Sequence, residues 1–96
     1  MPRSKRLEWS ARAARDLLAI EEFYAKYSQL TADRVIAEIR RKAQELQRFP
    51  YIDRHGQVLR TRELVMLKYP FNLVYRIVGD RVRIGRVLHQ HQEYPD

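Results

Sequence analysis

The pair Gly79-Asp80 stands between two stretches, Phe71 to Val78 and Arg81 to His89, both rich in β-branched and aromatic residues. A glycine-containing pair in that position closes a two-residue hairpin and fixes the register of everything on either side. Val78 then faces Arg81, Ile77 faces Val82, Arg76 faces Arg83, Tyr75 faces Ile84 and Leu73 faces Arg86. Because side chains alternate across a strand, Phe71, Leu73, Tyr75, Ile77, Val82, Ile84 and Leu88 fall on one face. A second two-residue turn at Tyr69-Pro70 makes Arg62 to Lys68 a third strand and adds Leu64 and Met66 to that face. The opposite face collects Glu63, Val65, Leu67, Asn72, Val74, Arg76, Arg81, Arg83, Val87 and His89. Its mixture of aliphatic and cationic side chains is not that of an ordinary solvated face. Directly opposed like charges such as Arg76 and Arg83 destabilise a sheet by roughly 0.2–1 kcal/mol unless they are neutralised. Glu63 is placed to neutralise Arg76 alone. Arg86 falls on the helix side, from which a long side chain reaches an edge.

The apolar face needs a cover, and the first half of the chain supplies it. Arg6 to Trp9 alternates as a short strand, with Ser10 at an N-cap position. Ala13, Leu17, Ile20, Tyr24 and Tyr27 then form one helical stripe from Ala11 to about Tyr27. After Ser28 or Thr31, either of which can cap, a second stripe runs through Ala32, Val35, Ile36, Ile39, Ala43 and Leu46 until Phe49-Pro50 stops it. The short connection makes the two helices antiparallel neighbours. Residues 50–60 carry Pro50, Asp53 and Gly56 among polar residues and read as a loop containing Arg54, His55 and Arg60. These elements predict an α+β fold: an N-terminal strand, a two-helix hairpin and a three-stranded antiparallel meander, in one domain spanning residues 1–96.

With 96 residues, 45% of them apolar and 32% charged, the chain holds one core and is neither disordered nor a multidomain enzyme. The absence of cysteine removes disulfides, thiol nucleophiles and Cys-bearing zinc sites. No apolar run approaches membrane-spanning length, and Leu7-Glu8-Trp9 stands where a signal peptide would have its apolar core, so a cytoplasmic protein is expected. A net charge of +7 favours an anionic partner: nucleic acid, an acidic protein or a membrane surface. That charge is spread evenly, +4 over residues 1–48 and +3 over residues 49–96. Arg34, Arg40, Arg41, Lys42 and Arg48 interleave with Glu38 and Glu45 on the second helix and read as a solvated face.

Candidate chemistry is sparse. No Gly-rich phosphate loop, nucleophile elbow or helical His-Glu-x-x-His pair is present, and no cofactor is expected. His89 and His91 sit at i and i+2 on the last strand, hence on one face. A metal site would need a further ligand from Glu93 or His55. Phosphodiester cleavage is the more natural use of these histidines, with Arg62, Arg76 and Arg83 stabilising the developing charge. Tyr94, in the tail, is placed to stack on a base, whereas Tyr75 alternates with core residues and reads as packing.

The order of elements, the run Tyr69-Pro70-Phe71-Asn72-Leu73-Val74-Tyr75-Arg76-Ile77 and the closing Arg86-Val87-Leu88-His89 after a Gly-Asp turn resemble the RelE/ParE superfamily of bacterial toxins. The resemblance covers nearly the whole chain. It implies a four-stranded sheet with the N-terminal strand beside the last one, both helices on one face and the other face open. It also implies a toxin of a type II toxin–antitoxin pair, neutralised by a cognate antitoxin, with operator DNA met only indirectly through that antitoxin. The face it leaves open is the one carrying Val65, Leu67, Val74, Arg76, Arg81, Arg83 and Val87, which are therefore the expected antitoxin-binding residues.

The superfamily divides by mechanism. RelE-like members are ribosome-dependent ribonucleases that cut mRNA, and ParE-like members poison DNA gyrase. RelE-like members commonly carry Arg before the Leu-Val-Tyr of the middle strand, where this chain has Asn72. The departure favours the ParE-like reading. In the ribonuclease alternative, Arg62, Arg76 and Arg83 bind phosphate, His91 or His89 does acid/base work and Tyr94 stacks. In the gyrase reading the toxic determinant lies within His89 to Asp96. A non-toxic adaptor domain is the third alternative, and it predicts that expression of the chain is harmless.

Overall fold

The computed structural model describes residues 4–51, 54–56 and 60–91. Strand β1 (Arg6–Trp9) leads into helices α1 (Ala11–Ala25) and α2 (Gln29–Arg48), followed by β2 (Arg54–His55), β3 (Arg62–Val65), β4 (Phe71–Val78) and β5 (Arg81–His89). The sheet order is β1-β5-β4-β3-β2. β1 runs parallel to β5, and the other neighbours are antiparallel. This is the expected four-stranded sheet, widened by the two-residue β2 in a stretch that reads as loop from the sequence. No helix among the described residues is long and apolar enough to cross a membrane.

Each helix begins where a serine satisfies an otherwise orphaned amide. Ser10 Oγ accepts from the Ala13 amide at 3.0 Å and donates to the Gly85 carbonyl at 2.8 Å, so one hydroxyl caps α1 and ties it to β5. Ser28, not Thr31, caps α2, accepting from the Thr31 amide at 3.2 Å. Helix α1 ends two residues before Tyr27, which stands 78% exposed rather than completing the stripe. Between helices and sheet lie Ala13, Leu17, Val35, Ile39, Ala43, Leu46, Leu64, Met66, Leu73, Tyr75, Val82 and Ile84, all buried. Leu7 and Trp9 flank them from β1. Tyr75 is packing, as its alternation suggests; its hydroxyl donates to the Pro50 carbonyl at 2.8 Å.

The hairpin register holds from Val78↔Arg81 to Tyr75↔Ile84 and then changes. Gly79, at φ +58°, makes the turn that residues with a Cβ adopt reluctantly. Beyond Ile84 a β-bulge leaves Gly85 without a partner, so Val74 faces Arg86, Leu73 faces Val87 and Phe71 faces His89. One extra residue inverts the alternation. Val87 therefore lies in the helix-facing core at 3% exposure rather than on the open face, and His89 follows it to the helix side beside Phe71. Leu88 pairs with Asn72 on the other side. The β3–β4 connection is also longer than Tyr69-Pro70 alone, since Leu64 pairs with Leu73 and Val65 with Asn72. The shift is by two residues, so Leu64 and Met66 keep their expected face. Leu67 falls beyond the end of β3 and is 95% exposed.

Candidate functional site

The face not covered by helices is a field of arginines with partial compensation. Parallel pairing sets Arg6 beside Arg81 and Glu8 beside Arg83, while the hairpin sets Arg83 beside Arg76. Arg81 Nη1 meets Glu8 Oε1 at 3.0 Å and Arg6 Nε meets Asp80 Oδ2 at 3.4 Å, so the outer cations are answered. Among the described residues neither Arg76 nor Arg83 has an ion-pair partner. Glu63, the expected partner of Arg76, is only 5% exposed and pairs across the sheet with Val74 and Arg54. Between the two arginines a cavity of about 280 Å3 is bounded by Thr61, Val74, Val78 and Gly85. Val74 is buried, whereas Val65 and Val78 are exposed. The arrangement presents two adjacent guanidinium groups over an apolar floor, suited to an anionic group carried beside an apolar one.

The residues expected to cooperate in a nuclease are not gathered. Arg76 and Arg83 occupy the turn end of the open face. His89 lies six residues along β5, about 20 Å away at the rise of a strand, and on the helix side after the bulge. Its ring packs edge-on to Phe71 at 5.7 Å, and the His91 ring lies 5.3 Å from it. His89 Nδ1 accepts from the His91 amide at 3.2 Å, which ties that nitrogen to the local backbone. Arg62 pairs across the sheet with Tyr75 and so points to the helix side, stacked 5.4 Å from the Tyr51 ring centroid. Tyr94 lies outside the described residues. Asn72 is half-buried, and its Oδ1 has no hydrogen-bond partner among the described residues. No group of three potential metal ligands occurs among the described residues.

Asp16 has a role that nothing local in the sequence signals. Where β1 has ended, the bare edge of β5 is answered by this α1 carboxylate, which accepts from Arg86 Nε and from the Val87 amide, both at 2.9 Å. Arg86 thus reaches an edge, as its length suggests, but in a buried ion pair rather than in solvent.

The sequence profile of the family described as the ParE toxin of the type II toxin–antitoxin system parDE matches residues 7–94. The chain belongs to the ParE toxin family. The Sinorhizobium fredii protein Y4kP is 38% identical over 91 residues, covering 95% of this chain and 94% of that protein. A chromosomal ParDE toxin–antitoxin system from P. aeruginosa contains a chain that superposes with a TM-score of 0.82 at 26% identity, over 90% of this chain and 96% of that one. The RelBE2 toxin–antitoxin complex of Mycobacterium tuberculosis contains one with a TM-score of 0.63 at 23% identity, over 90% and 98% of the two chains. This last likeness is one of fold. The superfamily resemblance visible in the β4–β5 hairpin therefore holds, on its ParE side.

Proposed function

We propose that this type II toxin acts on DNA gyrase, blocking replication, and that a cognate antitoxin neutralises it by occupying the open sheet face. The observation that supports gyrase over mRNA is the dispersal of the cleavage set. General acid/base catalysis requires the proton-transfer group within hydrogen-bond reach of the scissile phosphodiester that the cations hold. Here Arg76 and Arg83, Arg62, and the His89–His91 pair occupy three separate places. Asn72 offers no cation at the middle-strand position where RelE-like members carry one.

The antitoxin reading rests on the unanswered Arg76–Arg83 pair. An acidic and apolar segment laid along Val65, Val74 and Val78 supplies carboxylates to Arg76, Arg81 and Arg83, and Leu67 extends the apolar strip. Val87 takes no direct part because it is in the core. Expressing the chain in bacteria tests the target: DNA breaks and a DNA-damage response are expected, without cleavage of mRNA at translated codons. Codon-dependent mRNA cleavage without breaks would overturn the gyrase reading, and harmless expression would leave an adaptor domain.

A further inference from the structure

Helix α1 buries one side against the sheet, and its outward side carries a pattern that the fold does not use. Ala13, Leu17 and Ile20 belong to the core. Turned away from them, at alternating spacings of four and three, stand Ala11, Arg15, Leu18, Glu22 and Ala25. The first four are exposed, Leu18 to 56%, and Ala25 is half-buried. From either end the stripe runs alanine, charge, leucine, charge, alanine, and the two charges have opposite sign. Half a turn about an axis through Leu18 therefore brings Arg15 to the position of Glu22 and Ala11 to that of Ala25.

These two charges cannot answer each other within the helix, because seven residues set them about 10 Å apart along its axis. On α2 the outward charges do pair locally: Arg41 meets Glu38 at 2.8 Å and Glu45 at 2.7 Å, and Lys42 meets Glu45 at 3.5 Å. The order of charge along α1 is also the reverse of what a helix dipole favours. Its first turn has no acidic residue and its last no basic one. Arg12 and Arg15 stand towards the N-terminus, Glu21 and Glu22 towards the C-terminus. An antiparallel copy of the same helix meets each end with the opposite one.

Beside Leu18 the groove between α1 and α2 holds a cavity of about 350 Å3, lined by Trp9, Leu17 and Ile36. Its rim carries Glu21 on one helix and Arg40 on the other. A rim of both signs suits an identical surface turned about, whereas the acidic segment that suits the open sheet face would meet Glu21 and Glu22 here. We propose that this face joins two copies of the chain in a twofold dimer, with α1 antiparallel to its counterpart. Each Leu18 enters the other copy's groove, and Arg15 pairs with the partner's Glu22 on both sides of the axis. Alanine at positions 11 and 25 lets the helix axes approach to about 8 Å. The contact is little more than one helix wide, so the dimer is weak and forms at high concentration. The open sheet face lies on the other side of the molecule and stays free.

Sedimentation velocity of the purified chain at rising concentration tests the proposal. A reversible monomer–dimer equilibrium is expected, weakened by salt. Arg15→Glu and Glu22→Arg each turn two attractive contacts into repulsive ones, and each should raise the dissociation constant about tenfold or more. Mixed in equal amounts, these two variants are complementary and should form a dimer that neither forms alone. The double variant Arg15→Glu/Glu22→Arg should dimerise like the unaltered chain, and Leu18→Lys should stay monomeric. A chain that is monomeric throughout, single variants that dimerise undiminished, or a double variant and a mixture that do not recover would overturn the proposal. A monomeric chain whose antitoxin binding is weakened by Leu18→Lys would also overturn it, giving this face to the antitoxin.

Discussion

Asp16 and Arg86, far apart in the chain, form a largely buried ion pair at 2.9 Å that fastens α1 to β5 just after the bulge. The same carboxylate accepts the Val87 amide, so a side chain takes the place of the strand that β1 no longer provides. Ser10 does the corresponding work at Gly85.

Removing Asp16 takes from the buried Arg86 guanidinium the carboxylate it meets at 2.9 Å and from the Val87 amide its acceptor. Asp16→Ala should therefore cost about 3 kcal/mol, read from urea unfolding, with much of the loss recovered in Asp16→Leu/Arg86→Met. A loss below about 1 kcal/mol would mean that water enters and replaces the carboxylate.

Ser10→Ala loses a cap and a bond to the sheet, whereas Ser28→Ala loses a cap alone. The first should cost about 2 kcal/mol and the second about 1 kcal/mol in thermal unfolding. Equal losses would show that the Gly85 bond contributes nothing.

Arg76 and Arg83 face each other without a counterion among the described residues. Arg76→Glu converts that pair into an attractive one, without setting a second carboxylate beside Glu8 as a change at Arg83 would, and should raise stability by roughly 0.2–1 kcal/mol. The same change should weaken binding of the antitoxin, which isothermal titration against the cognate protein measures. Tighter binding would place the antitoxin elsewhere.

The Arg41 guanidinium hydrogen-bonds Glu38 at 2.8 Å and holds its carboxyl below the ordinary value of 4.5. A pKa lowered by folding favours the native state while the group is ionised, and that contribution fades as pH falls from about 4.5 through the lowered value. NMR titration should find the Glu38 midpoint below 4.5 and returning towards it in Arg41→Ala. An unchanged midpoint would show that the hydrogen bond does not persist in solution.

Much of the fold is legible because alternation by two and stripes at three and four residues are local. The hairpin faces follow from Gly79-Asp80 as far as Ile84. They fail at Gly85 because a bulge adds one residue without disturbing composition. The signal present was the glycine itself, isolated within a strand. Missing it places Val87 and His89 on the wrong face, and with them the expected meeting of histidines and arginines. The Asp16–Arg86 pair is invisible for another reason: it joins residues that no periodicity relates. Strand β2 is too short to show alternation, so His55 and Arg62 become neighbours only in three dimensions.

Whether this ParE-family chain poisons gyrase rather than cutting mRNA is tested most directly by adding the purified protein to gyrase, ATP and relaxed plasmid. Loss of supercoiling with accumulation of cleaved plasmid, reversed by the antitoxin, is the predicted result. Undisturbed supercoiling, together with mRNA cleavage when the same preparation is added to translating ribosomes, would contradict it.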